Sequence, residues 1–163
     1  MATIEDQGVL ALISGELTHK KLTTLGKEWL LNKRCNPVFV ERGANLSEIP
    51  DVIGWASDDC FVIECKMSLA DFRADKNKPH RQIYGLGSQR YYLIPQILKE
   101  KIVKDEYFLK SGWGLIVASS FGEGDAYNAR QVNGRSSEKF KRTPIKEISY
   151  LRSRIMEIQR YGQ

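Results

Sequence analysis

The sequence predicts an α/β fold: a central mixed sheet of four to five strands flanked by helices, followed by a basic C-terminal helix. Short runs rich in β-branched and aromatic residues alternate with segments whose apolar residues recur at helical spacing. The 163 residues are 42% hydrophobic and 28% charged, which excludes a wholly disordered or fibrous chain. The length suits a single domain, with a core over about 17–118 and a basic segment over 128–163.

The first half of the chain predicts a helix and then three strands. The helix covers about Leu17–Lys33, with Thr18 as its N-cap and Asn32 near its end. Apolar residues recur along it at helical spacing, at Leu22, Leu25 and Trp29. Three extended runs follow, and they are Pro37–Glu41, Asp51–Trp55 and Cys60–Lys66.

The second half predicts a helix from Leu69 to about Lys76, which Ser68 caps. A short helix around Ile97–Asp105 joins the next two strands, and a later run pairs back as an edge strand. These three strands are Arg90–Ile94, Trp113–Ala118 and Tyr127–Val132. The last helix begins at Thr143-Pro144 and stops at Gly162. Its apolar stripe is expected to face the core, and it consists of Ile148, Leu151, Ile155 and Ile158.

Charge and cysteine content narrow the class of protein. Lys and Arg number 25 against 20 Asp and Glu, and residues 128–163 carry nine basic and three acidic side chains, a net charge of +6. A basic tail on a nearly neutral body indicates a polyanionic partner. Three cysteines without CxxC spacing indicate neither a disulfide framework nor a zinc cluster. No apolar run reaches membrane-spanning length and the acidic start differs from a signal peptide, so we expect a cytoplasmic protein without a membrane partner.

Three ionic residues are predicted to meet at one end of the sheet. Side chains alternate along a strand, so Glu64 and Lys66 share a face that is apolar before them. If this strand pairs antiparallel with the preceding one, Asp51 lies beside them. Carboxylate oxygens bind Mg²⁺ or Mn²⁺, and a lysine steadies developing phosphate charge. This set of groups suits hydrolysis of a phosphodiester.

Pro50-Asp51, followed after twelve residues by Glu64-Cys65-Lys66, resembles the signature of the PD-(D/E)XK nucleases. The stretch from Glu64 through Ser68, Asp71 and Phe72 to Lys76 is similar to a narrower bacterial DNA-repair branch, the MmcB-like proteins. The resemblance spans about 28–118 and implies a restriction-endonuclease-like core. It implies a Mg²⁺-dependent deoxyribonuclease, with Mn²⁺ as a substitute, in DNA repair, recombination or phage and host DNA processing.

By that resemblance, Asp51 and Glu64 are metal ligands and Lys66 is the catalytic lysine. Such sites often add a glutamate from the first helix or first strand. Glu28 and Glu41 are the two candidates, with Glu41 slightly favoured and Glu48 a weaker third.

Cations after the motif and in the C-terminal segment are candidates for backbone contact with DNA, with RNA as an open alternative. They are Lys76, Lys78, Arg81, Arg90, Lys139, Lys141 and Arg142. Asp71 and Asp75 are expected to be solvated residues of a helix face. The alternative to an enzyme is a catalytically silent nuclease-like module that binds nucleic acid or protein. A homodimer or protein partner through the C-terminal helix also stays open.

Overall fold

The computed structural model describes residues 9–11, 15–40, 49–78, 85–121 and 126–162. Within those ranges the chain forms seven strands, five α-helices and one short 3₁₀ helix at Gln96–Leu98. The strands are β1 (Val9–Ala11), β2 (Val38–Val40), β3 (Val52–Ala56), β4 (Asp59–Cys65), β5 (Gln89–Pro95), β6 (Gly114–Phe121) and β7 (Ala126–Gln131). The helices are α1 (His19–Asn32), α2 (Leu69–Asp75), α3 (Lys99–Ile102), α4 (Glu106–Ser111) and α5 (Pro144–Tyr161).

The strands form one mixed sheet in the order β1-β7-β6-β5-β4-β3-β2. Strands β4, β5 and β6 are parallel, and the other neighbours pair antiparallel. The mixed α/β class is therefore confirmed, but the predicted count of four to five strands is wrong. Six strands between Val38 and Gln131 form the body of the sheet, and the three-residue β1 adds a seventh at one edge. That strand is too short to stand out as an extended run in the sequence.

The two faces of the sheet bury two hydrophobic layers. Helix α1 covers one face, where its Leu25 and Trp29 share a cluster with Ile63 and Cys65 of β4. It lies close because residue 26 is glycine: a Cβ there would be 3.1 Å from Val52 Cγ2. On the opposite face, residues from α2, α3, α4 and α5 share a cluster with strand residues that include Val62. The alternation predicted for β4 is thus confirmed.

Two predicted helix caps are confirmed. Thr18 Oγ1 accepts a hydrogen bond from the Lys21 amide at 3.3 Å, and Ser68 Oγ accepts one from the Asp71 amide at 3.1 Å. The helix expected around Ile97–Asp105 is instead broken into shorter pieces. Asp105 Oδ1 accepts from the Tyr107 amide at 2.9 Å and so caps the start of α4. An aspartate that caps a new helix separates α3 from α4.

Helix α5 has the predicted bounds, but the prediction that its apolar stripe faces the core is wrong. Ile148, Ile155 and Ile158 are exposed, the first of them by 63%. The buried positions are Glu147, Tyr150 and Arg154. The Tyr150 ring packs against the Phe39 and Trp55 rings. The carboxylate of Glu147 is satisfied by Arg142 and the Trp55 indole N–H. Aromatic packing and paired charge therefore orient α5, and its isoleucines lie to one side.

The orientation of α5 predicts that its isoleucines can be replaced with little loss of stability. We expect Ile148→Ala to change the free energy of unfolding by less than about 0.5 kcal/mol, because the side chain is already in water. The same substitution at the fully buried Ile53 is expected to cost about 2–5 kcal/mol. Urea denaturation of both variants checks this, and equal losses would mean that α5 buries its stripe after all.

No described helix is both long and apolar enough to span a bilayer.

Candidate active site

Asp51 lies where the sequence pattern predicted, at the end of β4. The antiparallel register pairs Val52 with Ile63, so the residue before β3 meets the last residues of β4. Asp51 Oδ2 accepts a hydrogen bond from the Cys65 amide at 2.7 Å. Because a carboxylate ties the two strands together here, one side chain of the candidate site is fixed relative to the β4 backbone.

Glu64 and Lys66 lie side by side on the α2 face of the sheet, and both are nearly inaccessible. The Lys66 Nζ is 3.9 Å from Glu64 Oε2, and each side chain is 4% exposed. The Lys66 amide donates to the Leu93 carbonyl, which fixes the backbone beyond the end of β4. A buried acid and ammonium at this separation are both held in their charged forms only if further partners satisfy them.

Helix α2 provides further partners for Lys66. Lys66 Nζ lies 2.9 Å from Asp75 Oδ1 and 3.8 Å from Asp71 Oδ1. Asp75 is fully buried and also lies 3.2 Å from the Lys78 ammonium. Its other oxygen accepts from the Tyr92 hydroxyl at 2.9 Å. The expectation that Asp75 is a solvated residue is therefore wrong.

These carboxylates control the charge of Lys66. Burial lowers the pKa of the Lys66 ammonium, but the charge and hydrogen bond of Asp75, together with Glu64 and Asp71, outweigh burial. The net result is a pKa above that of an ordinary lysine. The side chain is thus a cation at neutral pH, suited to stabilising negative charge rather than to accepting a proton.

The donors at this site match the chemistry of Mg²⁺ in part. Asp51 and Glu64 are hard carboxylates from adjacent strand ends, and Mg²⁺ commonly binds one or two carboxylates with water and substrate phosphate completing the shell. Across the described residues, no group of three or more His, Cys, Asp or Glu side chains is arranged to hold a metal. Asp51 and Glu64 each offer one carboxylate from adjacent strand ends, and no cage built entirely from protein is seen among the described residues.

The structure describes only one of the candidates for a third carboxylate. Glu41 and the weaker option Glu48 lie outside the described residues. Glu28 is half-buried on α1. The part of α1 that reaches Asp51 is its first residue, His19, whereas Glu28 lies nine residues further on, about 13 Å along the helix axis.

His19 is a neighbour of the site that sequence reasoning missed. Its Nε2 is 3.5 Å from Asp51 Oδ2, and its side chain is 42% exposed. Residue 19 attracts no attention in the sequence because it follows an N-cap and forms part of no motif. Only the packing of α1 over the end of β3 brings it to Asp51.

Of the predicted nucleic-acid contacts, Lys76 and Lys78 lie nearest the site. Both are exposed, and Lys78 reaches the Asp75 carboxylate from outside. Lys76 lines an open cleft whose other charged residues are the basic Arg73 and Lys110 and the acidic Asp105 and Glu106. Arg81 lies outside the described residues. The end of α2 thus presents cations next to the buried ionic group.

The prediction that Arg90 contacts nucleic acid is wrong, because the residue is fully buried. Its Nε donates to the Gly87 carbonyl at 3.0 Å and its Nη2 to the Gly85 carbonyl at 2.9 Å. The guanidinium stacks over the Phe140 ring, with 4.3 Å between Cζ and the ring centroid. Arg90 therefore joins the segment before β5 to the C-terminal segment.

Lys139 and Arg142 of the basic C-terminal segment contact residues at the start of β4, the end of that strand away from the candidate site. Lys139 is 3.3 Å from Asp59 at the start of β4, about 17 Å along the strand from Glu64. Arg142 donates to the Asp58 carbonyl and to Glu147, so its guanidinium is used within the protein rather than presented for phosphate. Hydrogen bonding to Glu147 raises the pKa of Arg142 further above its usual range. Lys141 is exposed.

Comparison with known proteins supports the fold but gives no activity. A solved structure of a protein of unknown function from Silicibacter pomeroyi is similar, with a TM-score of 0.50 and 21% sequence identity. The match covers 81% of this chain and 84% of that one. No protein-family model matches the chain, and no curated protein matches it. At this identity the likeness concerns the architecture alone.

Proposed function

We propose that this protein is a Mg²⁺-dependent nuclease that hydrolyses phosphodiester bonds in DNA, with a PD-(D/E)XK arrangement. The observation that carries the proposal is the position of Asp51, Glu64 and Lys66 at the paired ends of β3 and β4. Asp51 Oδ2 is 2.7 Å from the Cys65 amide, and Lys66 Nζ is 3.9 Å from Glu64 Oε2. Two carboxylates and a cation are the groups that metal-assisted phosphate hydrolysis requires.

Each residue has a separate role in this mechanism. Asp51 and Glu64 are the metal ligands. When bound, Mg²⁺ supplies polarisation of the phosphate and a more acidic water. Lys66, kept charged by its acidic neighbours, stabilises the negative charge that grows on the phosphate oxygens.

The substrate would contact two separate basic areas. Lys76 and Lys78 follow the end of α2 beside the site, Lys139 lies near the start of β4, and Lys141 is an exposed residue of the same segment as Lys139. The start of β4 is about 17 Å along the strand from Glu64, a length that corresponds to roughly five nucleotides of one strand. This spacing favours a substrate that extends several nucleotides to one side of the cleaved bond, and no base-reading element is needed for it.

The test uses the full chain with plasmid and with labelled single-stranded DNA in Mg²⁺, Mn²⁺ or EDTA. We expect cleavage in either metal and none in EDTA, and a rate for Asp51→Asn that is lower by roughly 100-fold or more. The asparagine oxygen can still accept from the Cys65 amide, so the fold should persist. Asp58→Asn is the matched control, because Asp58 is an exposed aspartate in the turn at the opposite end of the same strand pair. Equal cleavage by Asp51→Asn and the wild type would contradict the proposal.

One observation favours a second candidate, a nuclease-like module that binds DNA without cutting it. Lys66 is 4% exposed and engaged by Asp75, as a purely structural ion pair would be. If this candidate is correct, the protein binds DNA in EDTA, and the DNA stays uncut in both Mg²⁺ and Mn²⁺. Asp51→Asn then leaves DNA affinity unchanged.

A further inference from the structure

Asp75 is a buried carboxylate to which the proposed mechanism gives no role. It is the last residue of α2 and has no exposed surface. An ionised carboxylate in such a place is costly unless every lone pair direction is satisfied. Its Oδ1 faces two ammonium groups, those of Lys66 at 2.9 Å and Lys78 at 3.2 Å. Its Oδ2 accepts from Tyr92.

Two aspartates of α2 face Lys66, and their geometry is different. Asp75 is within hydrogen-bonding distance of the ammonium, at 2.9 Å. Asp71 is 3.8 Å away and its side chain is 47% exposed, so water screens its charge. Of the two, only Asp75 can fix the direction of the Lys66 side chain.

Asp75 is itself held by a rigid support of aromatic residues. The Tyr92 hydroxyl that donates to it is 3.1 Å from the Tyr107 hydroxyl. The Tyr92 ring stacks on Trp113 at a centroid distance of 4.5 Å and meets the Phe72 ring edge-on at 5.0 Å. Packed rings restrict the tyrosine to one rotamer, so the hydroxyl and the carboxylate it holds have little freedom.

We propose that Asp75 is the positioning residue of the candidate site. It holds the Lys66 ammonium beside Glu64, where the phosphate charge develops, and Tyr92 holds Asp75 in turn. This role rests on the nuclease function proposed above. A catalytic cation displaced by about 1 Å can lose on the order of 100-fold in rate, so a carboxylate that fixes it matters for the chemical step more than for substrate binding.

The test compares Asp75→Asn with Asp71→Asn, a matched change on the same helix facing the same lysine. Asparagine keeps the size of aspartate but loses the charge that holds the ammonium. We expect kcat for Asp75→Asn to fall about 10- to 100-fold with KM within about threefold, and Asp71→Asn to stay within about threefold in both. Equal kcat for Asp75→Asn and the wild type, with the fold verified by its unfolding transition, would overturn the role.

A second readout does not depend on cleavage. The acylation rate of Lys66 by an amine-reactive ester, measured by mass spectrometry on its peptide, should rise about tenfold or more in Asp75→Asn and little in Asp71→Asn. An unchanged rate would mean that Asp75 does not hold Lys66. If the wild type cuts no DNA in any metal, the proposed function fails while this measurement still decides the contact.

A milder variant covers the possibility that Asp75→Asn does not fold. Tyr92→Phe removes the hydroxyl that holds Asp75 and keeps the packed ring. Lys66 should then be acylated about threefold faster or more, and kcat should fall by a similar factor. Acylation and kcat both equal to those of the wild type would contradict the proposal.

Discussion

Replacing Lys66 with methionine is expected to lower the free energy of unfolding by about 3–5 kcal/mol and metal-dependent cleavage by about 100- to 1,000-fold. The stability loss arises because Asp75, which has no exposed surface, loses its closest cation. The activity loss arises because the charge that stabilises the phosphate is removed. Urea denaturation and initial cleavage rates measure the two effects separately.

The double variant Lys66→Met/Asp75→Leu separates catalysis from stability. When both members of a buried ion pair become apolar, the fold commonly recovers its stability. We therefore expect the double variant to recover part of the stability lost in Lys66→Met, since Lys78 is 46% exposed and can turn to water, whereas the buried Glu64 still lacks Lys66. Cleavage should remain lost. A double variant that regains cleavage along with stability would show that Lys66 serves the fold alone.

The sequence was most informative where local signals agreed with one another. Proline before Asp51 and the alternation of apolar residues through Ile63 predicted two strands, and the observed antiparallel register pairs Val52 with Ile63. The approach of Asp51 to the end of β4 was expected only on the condition that these strands pair antiparallel, which the structure now provides.

Helix α5 shows where periodicity misleads. Its four aliphatic residues repeat at helical spacing, yet the helix buries Glu147, Tyr150 and Arg154 instead. A hydropathy pattern places every glutamate on the exposed face of a helix, including one whose charge is paired inside the protein. The aromatic surface that receives Tyr150 comes from Phe39 and Trp55, which are distant in sequence. A pattern within one helix contains no information on that surface.

The sequence predicted the three motif residues of the candidate site, but it did not predict the residues that contact them. Glu64 and Lys66 stand out because charged residues end an apolar strand, and Asp51 stands out because it begins the preceding strand directly after Pro50. His19 and Asp75 do not stand out, since each looks like an ordinary polar residue near a helix end. Their roles depend on how α1 and α2 pack on opposite faces of the sheet, which is a tertiary property.

Arg90 is the clearest case of a basic residue whose charge serves the fold, and its replacement is expected to have the second-largest effect on stability. Arg90→Met should lower the free energy of unfolding by about 2–5 kcal/mol, because two hydrogen bonds from a charged donor are lost. The carbonyls of Gly85 and Gly87 would lose their donor. Lys141→Met is the matched control at an exposed position and should stay within about 0.5 kcal/mol in urea denaturation.

DNA binding by Arg90→Met and by Lys76→Met distinguishes a structural cation from one that contacts phosphate. A residue that neutralises one phosphate reduces the slope of log affinity against log salt concentration by about 1 when it is removed. Lys76→Met should show that reduction, because Lys76 is exposed beside the site. Arg90→Met, measured where it is fully folded, should keep the wild-type slope, because its guanidinium already faces two carbonyls and the Phe140 ring. A reduced slope for Arg90→Met with an unchanged slope for Lys76→Met would reverse this assignment and require the segment before β5 to open when DNA binds.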